Sequence, residues 1–367
     1  MEKGDIFFNS LNSVQLILNK KCNFNCSYCF SDNDGEEMDS ELLFSDVYRF
    51  LKENLSDDTT LNFFGGEPML DYREKIDPLV CTLRDDGFEG GIGIVTNGSL
   101  FNEKIMDEII ETNVSVMVSL DGDYETFSKN RNSDREVFDD IINSIKYFVS
   151  KDYPNISVRL TYGEDDIENL TKNIKFIYSL GVDVIEFYHV DEIKLDKKSA
   201  EKLKEEFDKL FFFYVKNDVK IKYIDDLVHY YLNPDEHSRG KLHQCGLLNK
   251  DNFDMTIDTS GDIFTCHHFN SDDKKYDSFH IGNIKETFYK EKIKNLNLGH
   301  LKKKYVYAHN ARENTCSKCK LYDLCNSICT MQNIKQNNNI FLNYNVDCFI
   351  KRSFYDVIEW RLNEVRQ

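Results

Sequence analysis

Short apolar, β-branched runs recur along the first part of the chain, at residues 14–18, 60–64, 91–96, 115–120, 156–161 and 183–190. Each has the length of a strand and ends in polar or glycine-containing positions. Between them lie amphipathic stretches at 40–55, 71–86, 102–112, 135–150 and 166–180, and another follows at 198–217. In the first of these, Leu43, Val47, Phe50 and Leu51 recur at helical spacing and form one apolar stripe. Six strands alternating with helices predict a parallel β/α series, arranged as an open doubly wound sheet or as a barrel. In both arrangements functional residues gather at the C-terminal ends of the strands.

The polar positions converge there. Cys22, Cys26 and Cys29 follow the first strand, and Gly65-Gly66-Glu67-Pro68 follows the second. Thr96-Asn97-Gly98 ends the third and Ser119-Leu120-Asp121-Gly122 the fourth. Arg159 and Thr161 lie in the fifth, and Glu186, Tyr188 and His189 in the sixth.

Composition narrows the class. The chain has 367 residues, room for two or three domains, and is 41% hydrophobic and 13% aromatic, enough for a sizeable core. A net charge of −18 argues against nucleic acid and against an anionic membrane surface. The first residues carry mixed charge with no apolar stretch after them, and no run approaches a membrane span, so a cytoplasmic protein is expected. Eleven cysteines in that compartment point to metal rather than disulfides. Ten fall into spaced groups, and Cys81, alone in a helical stretch, is expected to pack.

The first group has the spacing C-x3-C-x2-C, with Tyr28 before the last cysteine. Cys26 and Cys29 alone would fit half a zinc site or packed thiols, and the third cysteine argues against zinc. Three thiolates hold three irons of a [4Fe–4S] cube and leave the fourth open to a non-protein ligand. The pattern resembles the signature of the radical S-adenosylmethionine (radical SAM) enzymes. That resemblance implies an α/β fold, a partial (β/α)6 TIM-type barrel with the cluster on the loop after the first strand. It also implies S-adenosylmethionine on the open iron, cleaved reductively to a 5′-deoxyadenosyl radical that takes a substrate hydrogen. Gly65, Gly66 and Glu67 look like the family motif that receives the ammonium group. Thr96, Asn97 and Ser119 suit ribose hydroxyls, and Tyr28 would lie near the adenine. Ser119 with Arg131 would hold the methionyl carboxylate, with Arg159 a competing candidate.

A second cysteine field fills the C-terminal third. Cys245, fifteen residues, Gly261, four residues and Cys266 are followed by Cys316-x2-Cys319-x5-Cys325-x3-Cys329 and then Cys348. Cys316 and Cys319 alone have zinc-ribbon spacing. The whole pattern resembles the SPASM domain, which usually carries two auxiliary [4Fe–4S] clusters, making three in all. The division is then a partial barrel over residues 1–235 and a SPASM domain with a C-terminal helix over 236–367. Carried over by position, Cys316, Cys319, Cys325 and Cys348 would complete one cluster. Cys245, Cys266 and Cys329 would hold the other with three thiolates, leaving an iron open or filled by His267, His268 or Asp262.

The resemblance implies a peptide maturase that forms thioether or carbon–carbon crosslinks in a ribosomally made peptide. The alternative is sulfatase-type oxidation of Cys or Ser to formylglycine, where an aspartate is expected at the position held here by His267. His267, Tyr188, His189 and Asp191 are the catalytic candidates. A non-catalytic iron–sulfur or zinc protein would have no use for Glu67, Asn97, Ser119 and Arg131 at the strand ends. Expected partners are a peptide or protein substrate and an electron donor such as flavodoxin or ferredoxin. Only 21 residues precede Cys22, too few for a leader-binding domain of about 80, so leader recognition, where needed, is expected from a separate protein or from the SPASM surface.

Overall fold

Alternation within the strands decides which side of the sheet meets the helices. In β5 (Ile156–Tyr162), Ile156, Val158, Leu160 and Tyr162 are buried, while Ser157, Arg159 and Thr161 are half-buried. The same period of two separates Leu61 and Phe63 from Asn62 and Phe64 in β2 (Thr60–Phe64). The apolar set packs under the helices, and the polar set faces a concave, wetter side.

The computed structural model describes residues 11–31, 35–191, 193–233, 253–269, 279–286, 319–321, 330–337 and 345–365. The remaining strands are β1 (Leu11–Ile17), β3 (Ile92–Thr96), β4 (Ser115–Ser119), β6 (Val184–His189), β7 (Lys220–Ile221), β8 (Phe253–Ile257), β9 (Asp262–Phe264) and β10 (His280–Asn283). One sheet joins all ten, in the order β10-β9-β8-β1-β2-β3-β4-β5-β6-β7. From β1 to β7 every pairing is parallel and every neighbour is the next strand in the chain. An order without reversal has no topological switch point, so right-handed crossovers leave all the helices on one face. This resolves the two expected arrangements in favour of the partial barrel. Its first and sixth strands do not meet, since β1 pairs instead with β8, also in parallel.

The helices bury the stripes read from the sequence. Residues 40–54 form one helix through a π segment at Leu43–Val47, capped by Asp39 and burying Leu43, Val47, Phe50 and Leu51. Helix Arg135–Ser150, capped by Asp134, buries Phe138, Ile141, Ile145 and Phe148, each contributing roughly 1.5–3 kcal/mol. A short helix, Tyr124–Arg131, was not expected. It is mostly polar and buries Phe127 together with Thr126, Asn130 and Arg131. Cys81 corrects an expectation. The buried stripe of helix Asp77–Asp85 is Leu79, Val80 and Leu83, and Cys81 falls outside it, exposed beside Asp77. The C-terminal helix Asn345–Val365 lies on helix Lys197–Asn217, with Phe354 on Phe207 and Arg361 forking onto Asp208 through two 2.6 Å bonds. Among the described residues no helix is long and apolar enough to cross a membrane.

Candidate functional site

The loop after β1 carries Cys22 and Cys26 half-buried and Cys29 exposed. Cys29 N–H closes a tight turn on Cys26 O at 3.1 Å, and Phe24 N–H donates to Cys22 Sγ at 3.4 Å. Three neighbours grip this loop. Gly66 and Glu67 donate backbone N–H to Asn19 O and Lys21 O at 3.0 and 2.7 Å. A Cβ on Gly66 would sit 2.0 Å from Lys21 O, so the two backbones meet only because that residue has none. Asn97 Nδ2 donates to Asn23 Oδ1 at 2.8 Å, and Ser27 N–H donates to Asn130 O at 2.8 Å.

Beneath the loop, buried Lys75 bonds Glu37 at 2.6 Å and Asp71 at 2.9 Å, and Asp71 also accepts from Asn19. Hydrogen bonds from Lys21 and then Lys75 hold the Glu37 carboxyl at about 2, below its ordinary 4.5. Its contribution to stability is therefore complete above the ordinary value and is lost as pH falls through about 2. Glu37→Gln should be less stable than the wild type near neutral pH and converge with it in acid. Denaturant unfolding across pH checks this, and parallel curves would refute it.

Glu67 is buried, and three donors converge on its carboxylate. Met69 N–H and Thr96 Oγ1–H reach Oε1 at 3.0 and 2.6 Å, and Asn97 N–H reaches Oε2 at 2.7 Å. Burial raises its pKa, and these bonds oppose the rise. Glu67, Thr96 and Asn97 are thus one connected unit joining the ends of β2 and β3 to the cysteine loop.

The two candidate arginines have different surroundings. Arg131 is buried; one guanidinium nitrogen donates to fully buried Asp121 at 2.9 Å, and its Nε has no partner. Asp121 also accepts from Tyr28 OH at 2.7 Å and Thr161 N–H at 3.0 Å. Burial works to lower the Arg131 pKa, but Asp121 outweighs it and keeps the guanidinium protonated. Arg159 is the register partner of Ser119 across β4 and β5. Its side chain is 33% exposed on the concave face, bonded to Glu186 at 2.8 Å and lying over the Tyr188 ring. Ser119 is half-buried beside it.

His267 completes the concave face from the short turn after β9. Its Nδ1 lies 2.5 Å from Gln15 Oε1 on β1. An amide oxygen only accepts, so Nδ1 carries the proton and Nε2 keeps its lone pair. The ring lies tilted against Phe64 at 4.6 Å, His268 at 4.2 Å and Phe30 at 5.9 Å. Burial, followed by the charges of His268 and Arg159, holds its pKa well below the ordinary 6.5. Of the other candidates, Tyr188 lies under Arg159, His189 bonds the carbonyl of Val190, and Asp191 pairs with Lys335 at 3.3 Å. Gln15, Phe30, Phe64 and Asp121 were not singled out from the sequence. Gln15 was legible as a polar residue within a strand, and Asp121 as part of the Ser-Leu-Asp-Gly run. Cys266, Cys319 and Cys348 are half-buried. Cys245, Cys316, Cys325 and Cys329 lie outside the described residues.

Among the described residues no three Cys, His, Asp or Glu side chains converge on a single ion. A cube does not need them to, because each thiolate takes a different iron. Cys22, Cys26 and Cys29 suit that geometry, as three soft donors on one anchored loop. Burial pushes Cys26 up to about 11 and raises Cys22 as well, a cost that iron coordination reverses.

A model of the radical SAM superfamily matches residues 16–177. A cysteine-type anaerobic sulfatase-maturating enzyme of Clostridium perfringens is 23% identical over 349 residues, spanning 88% of this chain and 90% of that protein. Among solved structures, native anSMEcpe with bound AdoMet and the Kp18Cys peptide superposes with a TM-score of 0.76 at 21% identity, over 96% of this chain and 99% of that one. Streptococcus suis SuiB bound to S-adenosylmethionine superposes at 0.64 and 15% identity, over 89% and 75%. At these identities the two superpositions establish the shared fold. With the cysteine loop, the strand-end constellation and the matched model in agreement, the chain is an enzyme that carries a radical SAM domain over residues 16–177.

Proposed function

We propose that this enzyme is a peptide maturase that uses S-adenosylmethionine to install a thioether or carbon–carbon crosslink in a ribosomally made peptide. The family implies a [4Fe–4S] cluster and S-adenosylmethionine, which when bound supply a 5′-deoxyadenosyl radical. In this reading Cys22, Cys26 and Cys29 hold the cluster. Ser119 and Arg159, register partners with Arg159 partly exposed, hold the methionyl carboxylate, while Arg131 is enclosed on Asp121. The Gly65-Gly66-Glu67 turn takes the ammonium, Thr96 and Asn97 face the ribose, and Tyr28 lies by the adenine. Residues 236–367 form a SPASM domain whose cysteines hold two auxiliary clusters. The electron donor is a flavodoxin or ferredoxin. The cytoplasm suits this thiol content.

The observation that carries the reading is His267, a neutral base with Nε2 unprotonated on the concave face, beside Phe30 and the cysteine loop. Such a base removes the proton that must leave when a substrate radical is oxidised or joined to a nucleophile. His267→Ala is expected to lower peptide product by about 10²-fold while 5′-deoxyadenosine still forms. Mass spectrometry of peptide and nucleoside from one anaerobic reaction separates the two, and loss of both in parallel would remove the base role.

A sulfatase-type reading is favoured by the similarity to the Clostridium perfringens enzyme along nearly the whole chain. The two readings part on products. The purified enzyme is given a short peptide encoded beside its gene and, separately, a cysteine peptide of sulfatase type. Loss of a hydrogen pair with a new crosslink supports the first reading. Replacement of the thiol by an aldehyde supports the second and overturns the first.

A further inference from the structure

We infer that Asp121 and Arg131 form a buried charge pair that sets the reduction potential of the cluster held by Cys22, Cys26 and Cys29. The inference rests on the family's cluster being held by that loop. Tyr28 stands between Cys26 and Cys29, and its hydroxyl donates to Asp121 at 2.7 Å while Arg131 lies over its ring at 5.7 Å. The residue before Arg131 receives the backbone N–H of Ser27 at 2.8 Å. The pair is thereby fixed directly behind the cysteine turn, and both charges act on Cys26.

Asp121 is 0% exposed and Arg131 5%, so water screens neither charge. A buried ion pair is weak as a clamp, because apolar residues of similar volume hold a fold at least as well. Two full charges at this place therefore call for an electrostatic role. Cluster potentials follow net charge, burial and hydrogen bonds to the sulfurs. The added electron makes a cluster more negative, so a nearby cation raises its potential and a nearby anion lowers it. Arg131 supplies the cation, and Asp121 moderates it. Burial encloses Arg131 on Asp121, whereas Arg159, though paired with Glu186, keeps a third of its side chain exposed.

The test is a redox titration of the reconstituted full chain, followed by electron paramagnetic resonance. The signal monitored is the one whose shape changes on adding S-adenosylmethionine, which singles out this cluster from any others. Asp121→Asn preserves shape and still bridges Tyr28 and Arg131, and it is expected to shift the midpoint upward. Arg131→Gln is expected to shift it downward, and Arg131→Lys to stay near the wild type. A purely structural pair would move both charge variants the same way or not at all, and either result overturns the inference. Should Arg131→Gln take up no iron, Asp121→Asn decides alone, an unshifted or lowered midpoint refuting the pair's role. A wild type with iron but no signal responsive to S-adenosylmethionine would instead remove the cluster reading on which the inference rests.

Discussion

Replacing Cys22, Cys26 and Cys29 together by alanine is expected to reduce 5′-deoxyadenosine formation to background and to remove about four irons per chain. The sheet should survive. The three thiols are half-buried or exposed on a loop whose anchors are the backbone of Gly66 and Glu67, the amide of Asn97 and the carbonyl of Asn130. None of those anchors uses a cysteine side chain. Unfolding of the iron-free triple variant should therefore stay within about 2 kcal/mol of the iron-free wild type. The comparison must be made without iron, because a bound cluster adds its own stabilisation to the folded state. Residual nucleoside formation in the variant would show that another group of cysteines supports the cleavage.

Asp121→Ala is expected to destabilise the protein by roughly 3–5 kcal/mol, the usual cost of removing one member of a buried ion pair. The alanine leaves Arg131 charged in a dry place and orphans two more donors, Tyr28 OH and Thr161 N–H. Asp121→Asn should cost less, about 1–2 kcal/mol, because its amide still reaches the same three partners. Denaturant unfolding of the iron-free proteins measures both. A loss below ~1 kcal/mol for alanine would mean that water reaches the pair.

Particular elements show how far sequence reasoning carries. The run at 60–64 coincides with β2, and 135–150 with helix Arg135–Ser150. Both are strongly periodic, so local hydrophobicity and tertiary burial agree. Helix Tyr124–Arg131 escaped notice because Phe127 is its one large buried apolar side chain, the others being polar and paired with neighbours. Strand β8 alternates Phe253, Met255 and Ile257 at strand spacing, yet nothing local says that it pairs with β1. Cys81 looked like packing because it lies in an amphipathic stretch, and one hundred degrees of helical rotation put it outside.

The chemistry divides in the same way. The spacing of Cys22, Cys26 and Cys29, the Gly-Gly-Glu-Pro turn and the β/α alternation were determined by the sequence alone, because each rests on neighbours within one loop or one element. Gln15 and His267 are 252 residues apart, and only the pairing of β1 with β8 brings them within 2.5 Å. The same holds for the arginines. Sequence offered Arg131 and Arg159 for one carboxylate, and nothing local distinguishes two guanidinium groups. Tertiary structure buried Arg131 against Asp121 and set Arg159, paired with Glu186, partly exposed beside Ser119, because strand order and burial decide which guanidinium is enclosed and which keeps a face to water.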